Sequence, residues 1–361
     1  MESQRGKDIA IVPFDPRRLD DARIFEYHAF STTLHAESAP EDPSVPIEVF
    51  ARWELWAPSS VDMWGWFGRA PDSNLVAVGR ARSRRDGENS HALHVQLMVL
   101  PSHRRQGIGR RLLAQVVAVA ESERKTLLTG WTGDRVPAGA AFCQAVGATL
   151  AQETHINRLV LADVDRSLLR QWAEDGEKKA GDAYRLVRYD DRCPDHLVDA
   201  VVDVLDVMAD APRGDLHVAH RRTTVSELRE REAVAAQTGT QGWWLFAEEK
   251  DSGRLVGLTT VWWNPNQPET VGQGDTGVMS EHRGHGLGKW LKAAMLERIL
   301  RERPDATDIR TGNADSNAPM LAINHRLGFK PYIACATWQA ELRQIRESEK
   351  CTTDSAARAH Y

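Results

Sequence analysis

Arg104-Arg105-Gln106-Gly107-Ile108-Gly109 and Arg283-Gly284-His285-Gly286-Leu287-Gly288 are two copies of one motif, 179 residues apart. Each copy follows an apolar run and opens an amphipathic one, so each reads as a strand turning through glycines into a helix. Such a turn points backbone N–H groups outward at a helix start, which is the arrangement that holds a phosphate. The glycines let the backbone approach a diphosphate and take conformations that a Cβ forbids. Arg104 and Arg283 supply charge and planar donors, or else cap local carbonyls. A dinucleotide-binding loop is the rival reading. That loop would come earlier in its βαβ unit, with an acidic strand end about 20 residues on, whereas both copies here sit mid-domain behind a hairpin.

The elements that must position these loops repeat as well. WGWFGRAPDSNLVAVG at 64–79 is echoed by WWLFAEEKDSGRLVGL at 243–258, an aromatic strand, a polar turn and a second apolar strand. IAIVPF at 9–14 corresponds to YRLVRY at 184–189, and HVQLMVL at 94–100 to DTGVM at 275–279. After the loops, Leu112, Val116 and Ala120 in one half, and Leu287, Leu291, Met295 and Ile299 in the other, keep helical spacing. LLTGW at 127–131 and DIRTGN at 308–313 follow, each leading into another helical stretch. The chain therefore reads as two homologous halves, residues 1–180 and 181–347, meeting at the polar AEDGEKKAGDA. A disordered tail is expected over 348–361.

Bulk properties narrow the setting. At 361 residues, each half is long enough to bury its own core. A formal charge of −5 leaves no basic footprint, which argues against a nucleic-acid binder. No apolar run approaches membrane-spanning length, and MESQRGKDIA has no signal-peptide stretch, so a cytoplasmic protein without a membrane partner is expected. Cys143, Cys193, Cys335 and Cys351 lack metal or disulfide spacing, and no metal is expected.

The run Val99-Leu100-Pro101-Ser102-His103-Arg104-Arg105-Gln106-Gly107-Ile108-Gly109 resembles the pyrophosphate loop of the Gcn5-related N-acetyltransferases (GNAT). Val278-Met279-Ser280-Glu281-His282-Arg283-Gly284-His285-Gly286-Leu287-Gly288 repeats it, with Ser280 where proline is usual. The resemblance covers nearly the whole chain, in a tandem plan similar to the mycothiol synthase branch. It implies an α/β (α+β) fold of two GNAT-like domains, each a mixed, mostly antiparallel sheet flanked by helices. It also implies acetyl-CoA as acyl donor, held by Val99, Arg104, Arg105, Gln106, Gly107, Ile108, Gly109 and Arg110 in one half. Val278, Met279, Arg283, Gly284, His285, Gly286, Leu287, Gly288 and Lys289 do so in the other. In the family an asparagine after the fifth strand often bonds the coenzyme; Asn317 matches that position and Asn313 lies one turn earlier, though both also suit helix capping. The first half lacks these asparagines.

The implied reaction is direct attack of an amine on the thioester within a ternary complex. The family's usual acid, a tyrosine four residues before a Gly-Phe pair, is replaced by Asn324 in the second half and by Cys143 in the first. Tyr332 is a spare candidate. The family's base lies on the central strand, where Asp275 and His94 are the candidates here. Asp275 alternatively stabilises a turn, and His94 alternatively sits satisfied in the core. The second half matches the family more closely and is expected to be catalytic, with a small-molecule amine as acceptor. The alternatives are a coenzyme A-binding regulator without turnover, a protein-amine acetyltransferase, and a mycothiol-type enzyme acting on cysteinyl glucosaminyl inositol.

Overall fold

Leu75, Val76, Ala77 and Val78 are each at most 6% exposed, and Leu255, Val256 and Leu258 repeat the pattern. Unbroken apolar runs buried on both faces mark an interior strand of each half. The computed structural model describes residues 8–348 apart from 86, 88, 211 and 221. Its chain groups into two compact units.

Among the described residues, unit 1 comprises 8–153, 214–219 and 335–348. Its sheet runs through β1 (Ala10–Phe14), β2 (Val61–Arg69), β3 (Leu75–Arg84), β4 (Ala92–Val99) and β5 (Leu127–Gly133), and residues 335–341 complete it. Among the described residues of this sheet, only β4 and β5 pair in parallel. On one face α1 (Asp21–Ser38) and α2 (Ile47–Leu55) bury Tyr27, Phe30 and Phe50 against Phe14 and Phe67. On the other, α3 (Ile108–Ser122) buries Leu112, Val116 and Ala120 as their spacing predicts. α4 (Pro137–Ala145) follows β5. Residues 342–348 are helical; Ile345 enters the α3 cluster, and Arg346 pairs with Glu121.

Unit 2 comprises residues 154–213 and 220–334. Its sheet takes residues 154–160 of β6 (Thr149–Val160), with β7 (Tyr184–Asp190), β8 (Gln241–Glu249), β9 (Leu255–Asn264), β10 (Gln267–Val278) and β11 (Asp308–Ala314). β10 and β11 are parallel, and the other pairs of this set are antiparallel. β12 (Lys330–Glu341) gives its first five residues to unit 2 and the rest to unit 1. α5 (Arg166–Ala180) packs against the helix after the second glycine loop. A Cβ on Gly176 would sit 2.5 Å from Trp290, so the two backbones approach as closely as a glycine allows. α6 (Val198–Leu205) and α7 (Val225–Thr238) bury Val201, Val204 and Leu228 against Phe246 and Leu258 on the opposite face. α8 (Leu287–Glu302) and α9 (Ala318–Leu327) complete the unit.

In sequence the repeat divides at 1–180 and 181–347, but the packed units divide the chain elsewhere. Residues 166–180 belong to unit 2 as α5, while 335–348 fill the sheet and core of unit 1. The tail expected over 348–361 needs one correction. Ser348 is helical and its Oγ donates to Val146 O at 3.2 Å, because its backbone continues a helix already anchored by Ile345. Residues 349–361, Cys351 included, lie outside the described residues.

Candidate functional site

Both glycine loops take the conformation their composition requires. In unit 2 the chain leaves β10 at Val278 and Met279, makes a short 3-10 turn over Ser280–His282, and enters α8 through Gly286. Gly284 and Gly286 both have φ +84°, which is the left-handed region, and a Cβ on Gly284 would meet nothing within 4 Å. The result is an open cradle of backbone N–H groups running into Leu287, Gly288 and Lys289. In unit 1 the same path runs from β4 through Pro101–His103 into α3 at Gly107, φ +79°. There Arg105 holds φ +63° where its counterpart is Gly284, at a cost of about 1–2 kcal/mol for a side chain in that region.

The arginines that open the motifs grip the strand they follow. Arg104 Nε donates to Val99 O at 3.1 Å and Arg283 Nε to Val278 O at 3.0 Å. Arg104 is further engaged, because both its terminal nitrogens reach the Glu37 carboxylate at 2.6 Å. That hydrogen-bonded pair holds the Glu37 carboxyl below the usual carboxylate range. Gln106 donates to Ser102 O at 3.3 Å and Arg110 to Ala145 O at 2.9 Å, so two more polar groups of this loop are engaged by carbonyls of the chain itself. At the helix start, a Cβ on Gly109 would lie 3.0 Å from the Phe142 ring, whereas one on Gly288 finds nothing nearer than 3.9 Å. Unit 2 thus has more room at this helix position.

Lys179, in the last turn of α5, also lies over the unit 2 loop and donates to Gly284 O at 3.0 Å. Sequence reading missed it, since it lies 105 residues before its partner. Lys289 stands over the Trp172 ring of the same helix, 5.3 Å from the centroid, and the ring of the exposed His285 lies tilted against Tyr184, 5.6 Å between centroids. Beneath the loop, Tyr184 Oη and His282 Nδ1 are 3.0 Å apart and buried.

In both units the parallel pair beside the loop parts company. The β4–β5 ladder ends at His94 with Thr129, and the β10–β11 ladder at Gly272 with Arg310. Beyond those residues the strands leave a wedge. The units differ in the strand that lines it. β4 pairs with β3 without interruption from His94 to Val99. On β10, Gln273 opposes Val261 and Thr276 opposes Thr259, so three steps on one strand match two on the other. Gly274 and Asp275 form a β-bulge, a device that breaks the ladder and re-aims a side chain.

The bulge decides what faces where. Gln273 and Thr276 both bond Thr259, at 3.1 and 2.8 Å, and Gln273 also meets Lys292 of α8, so these side chains share the α8 face. Asp275 turns to the other face, as does Gly277, whose Cβ would lie 2.7 Å from Val207. Burial pushes the Asp275 carboxyl up, and Arg231 of α7 and His220 pull it part of the way back. Arg213 donates to His220 Nδ1 at 2.8 Å, which leaves the Nε2–H to donate to Asp206 at 3.1 Å. Asp206 also lines a cleft of about 450 Å³ on that face, with Asp203, Val207, Arg222, Met279 and Glu281.

The remaining candidates are placed as follows. His94 lies at the last rung of the β4–β5 ladder, 3.5 Å from Thr129 Oγ1, and burial with help from Arg82 lowers its pKa to about 4. It is neutral at ordinary pH, and a conjugate acid this strong leaves a feeble base. Cys143 stays a thiol, its pKa raised by burial to about 11. Tyr332 lies between the guanidinium groups of Arg158 and Arg310, 5.4 and 4.9 Å from its ring centre, and these flank Asp308. Asn317 caps α9, accepting from Met320 N at 3.4 Å, as the capping alternative had it. Among the described residues no His, Cys, Asp and Glu cluster could hold a metal, and no helix is long and apolar enough to cross a membrane.

Lys292 was also missed. It is 3% exposed on the apolar stripe of α8, between Gly288 and Met295, and burial lowers its pKa to about 7. The unfolded chain keeps a proton on this lysine up to about pH 10.5, so between 7 and 10.5 unfolding takes up a proton. Stability therefore rises with pH across that window, and the buried charge costs most below it. Lys292→Met is expected to raise the thermal midpoint at pH 6 and to flatten the rise toward pH 10. Thermal unfolding followed against pH checks both.

Known proteins resemble this chain over most of its length. The family model described as "Acetyltransferase (GNAT) family" matches residues 29–147 and again 206–329. A mycothiol acetyltransferase of Saccharomonospora viridis is 28% identical over 324 residues, spanning 88% of this chain and 93% of that one. A mycothiol acetyltransferase of Clavibacter sepedonicus is 30% identical over 245 residues, 66% of this chain and 69% of its own. A solved structure described as a tandem GNAT protein from the clavulanic acid biosynthesis pathway superposes with a TM-score of 0.73 at 26% identity, covering 92% of this chain and 98% of its own.

Proposed function

The chain belongs to the acetyltransferase (GNAT) family and is an N-acetyltransferase, and from that premise we propose that unit 2 carries the reaction. Acetyl-CoA is the donor, and a primary amine of a small molecule attacks its thioester directly. The single observation that carries the reading is the bulge at Gly274–Asp275, present beside one loop and absent beside the other.

In this reading the cradle of Gly284, Gly286, Leu287 and Gly288 receives the donor's diphosphate, with Lys179, Arg283 and Lys289 supplying cationic charge around it. The pantetheine arm enters the wedge past Gly272 and lies along the free edge of β10. Backbone N–H groups released by the bulge stabilise the oxyanion that forms as the amine nitrogen bonds to the thioester carbon. Asp275 faces the cleft side, and its raised pKa brings the carboxylate toward the range where it accepts the amine proton efficiently. Collapse of the intermediate breaks the carbon–sulfur bond. Asn324, standing where the family has tyrosine, has no proton to give, so protonation of the departing thiolate falls to solvent.

The test is release of free thiol from acetyl-CoA with a panel of amines. Tight coenzyme binding with no release for any amine would leave a coenzyme-binding regulator in its place. The breadth of the match to mycothiol acetyltransferases favours a second reading of the acceptor alone, so cysteinyl glucosaminyl inositol belongs in the panel. Gly107→Glu, in the loop where Glu37 already occupies Arg104, is expected to keep more than half of wild-type kcat. It should lower the thermal midpoint or the number of coenzymes bound, as calorimetry with acetyl-CoA would show.

A further inference from the structure

Where the β10–β11 ladder stops, side chains take over the span. Lys292 Nζ donates to Gln273 Oε1 of β10 at 2.9 Å and to Asn324 Oδ1 of α9 at 2.7 Å. Asn324 Nδ2 then donates to Asn313 Oδ1 of β11 at 2.8 Å. The chain of bonds thus joins the two strands one and three residues past their last backbone pair. Asn157 Nδ2 also reaches Asn313 Oδ1, at 3.5 Å.

The direction of these bonds is dictated by the lysine. An ammonium has donors only, so Asn324 must turn its oxygen to Lys292 and its N–H onward, and Asn313 must answer with its oxygen. Asn313 is left with two amide N–H donors that have no acceptor among the described residues, on a half-buried side chain at the wedge. Asn324 is 0% exposed and Lys292 3%. The groups facing the ammonium are Gln273 from β10, Asn324 from α9 and the Phe329 ring, 5.5 Å away; none of them titrates. A buried cation without a carboxylate is a net cost to the fold, so packing does not account for it.

We infer that Lys292 is a positioning residue for the acyl donor: through Asn324 it holds Asn313 with its amide N–H groups turned into the β10–β11 wedge, where they donate to a carbonyl of the donor's arm. The inference rests on the reading that acetyl-CoA binds in unit 2. Because a ligand carbonyl at the far end favours the charged lysine at the near end, donor binding near pH 7.5 is coupled to proton uptake by Lys292.

Calorimetric titration of the full chain with acetyl-CoA, in a Gly107→Glu background so that one loop remains, tests this. Lys292→Met and Asn313→Ala are each expected to weaken binding about tenfold, the size of one hydrogen bond lost to a buried partner. The double variant should be no worse than about tenfold, since both changes break one chain. In buffers of different ionisation enthalpy, the parent should take up a fraction of a proton on binding and both variants none. Independent losses that multiply to about a hundredfold, or proton uptake that survives in either variant, would overturn the inference. If Lys292→Met fails to fold, proton uptake in Asn313→Ala decides alone. Adding Gly286→Glu separates the two levels. Undiminished binding there sinks the unit 2 reading, whereas lost binding there with normal binding in Lys292→Met sinks only the role of the lysine.

Discussion

Gly286→Glu is expected to lower kcat/KM for acetyl-CoA by about a hundredfold or more while the protein stays folded. Two effects add. A side chain at φ +84° costs about 1–2 kcal/mol, which distorts the start of α8. The new carboxylate then occupies the cradle and meets a diphosphate of like sign, with Lys179 Cδ only 3.8 Å from its Cβ and ready to pair with it. Displacing the donor by even about 1 Å is enough for a hundredfold loss. Gly286→Ala separates the terms, since it carries the strain without the charge and should lose only about tenfold. Steady-state kinetics and calorimetry on the two variants check this. Activity above a tenth of wild type in Gly286→Glu would remove unit 2 from the reaction.

Asp275→Asn should lower kcat/KM by about 10²–10⁴-fold at neutral pH, the range that loss of a positioned base produces. Its effect on stability has the opposite sign. Burial raises the Asp275 pKa, so the native state holds this proton to higher pH than the unfolded chain does. Stability from this group is therefore lost as pH rises out of the acid range, and the neutral amide should fold at least as well. The wild-type rate should rise with pH as Asp275 ionises, and that limb should vanish in the variant. A pH–rate profile with an unchanged acid limb would show that Asp275 is not the base. His94→Gln, by contrast, should leave the profile as it is, because an imidazole with a pKa of about 4 does not titrate in the working range.

The loops were legible because glycine spacing and helical periodicity are local signals, and the structure places Gly107, Gly286 and the buried stripes of α3 and α8 as those signals require. The bulge was legible only in hindsight. Before it the halves align His94 with Gly272, after it Val99 with Val278, and the slip of one residue marks the extra position. Lys179 and Lys292 could not be reached in the same way. Lys179 acts across 105 residues, which no periodicity records. Lys292 did leave a trace, a charge on the apolar face of an amphipathic helix, but its partners Gln273 and Asn324 come from other elements. The repeat also misled in one respect. Homology follows the chain, whereas packing follows the edges of sheets, so residues 335–341 pair with β5 far from their neighbours in sequence.

That last pairing bears on how the molecule is made. A ribosome delivers the N-terminal segment first, yet the β5 edge of its sheet has no antiparallel partner until residues 335–341 emerge. Until then, that edge presents unpaired amide and carbonyl groups to whatever is nearby. Completion of the first unit thereby waits on residues 335–341, and a chain stopped before them carries its own signal of incompleteness.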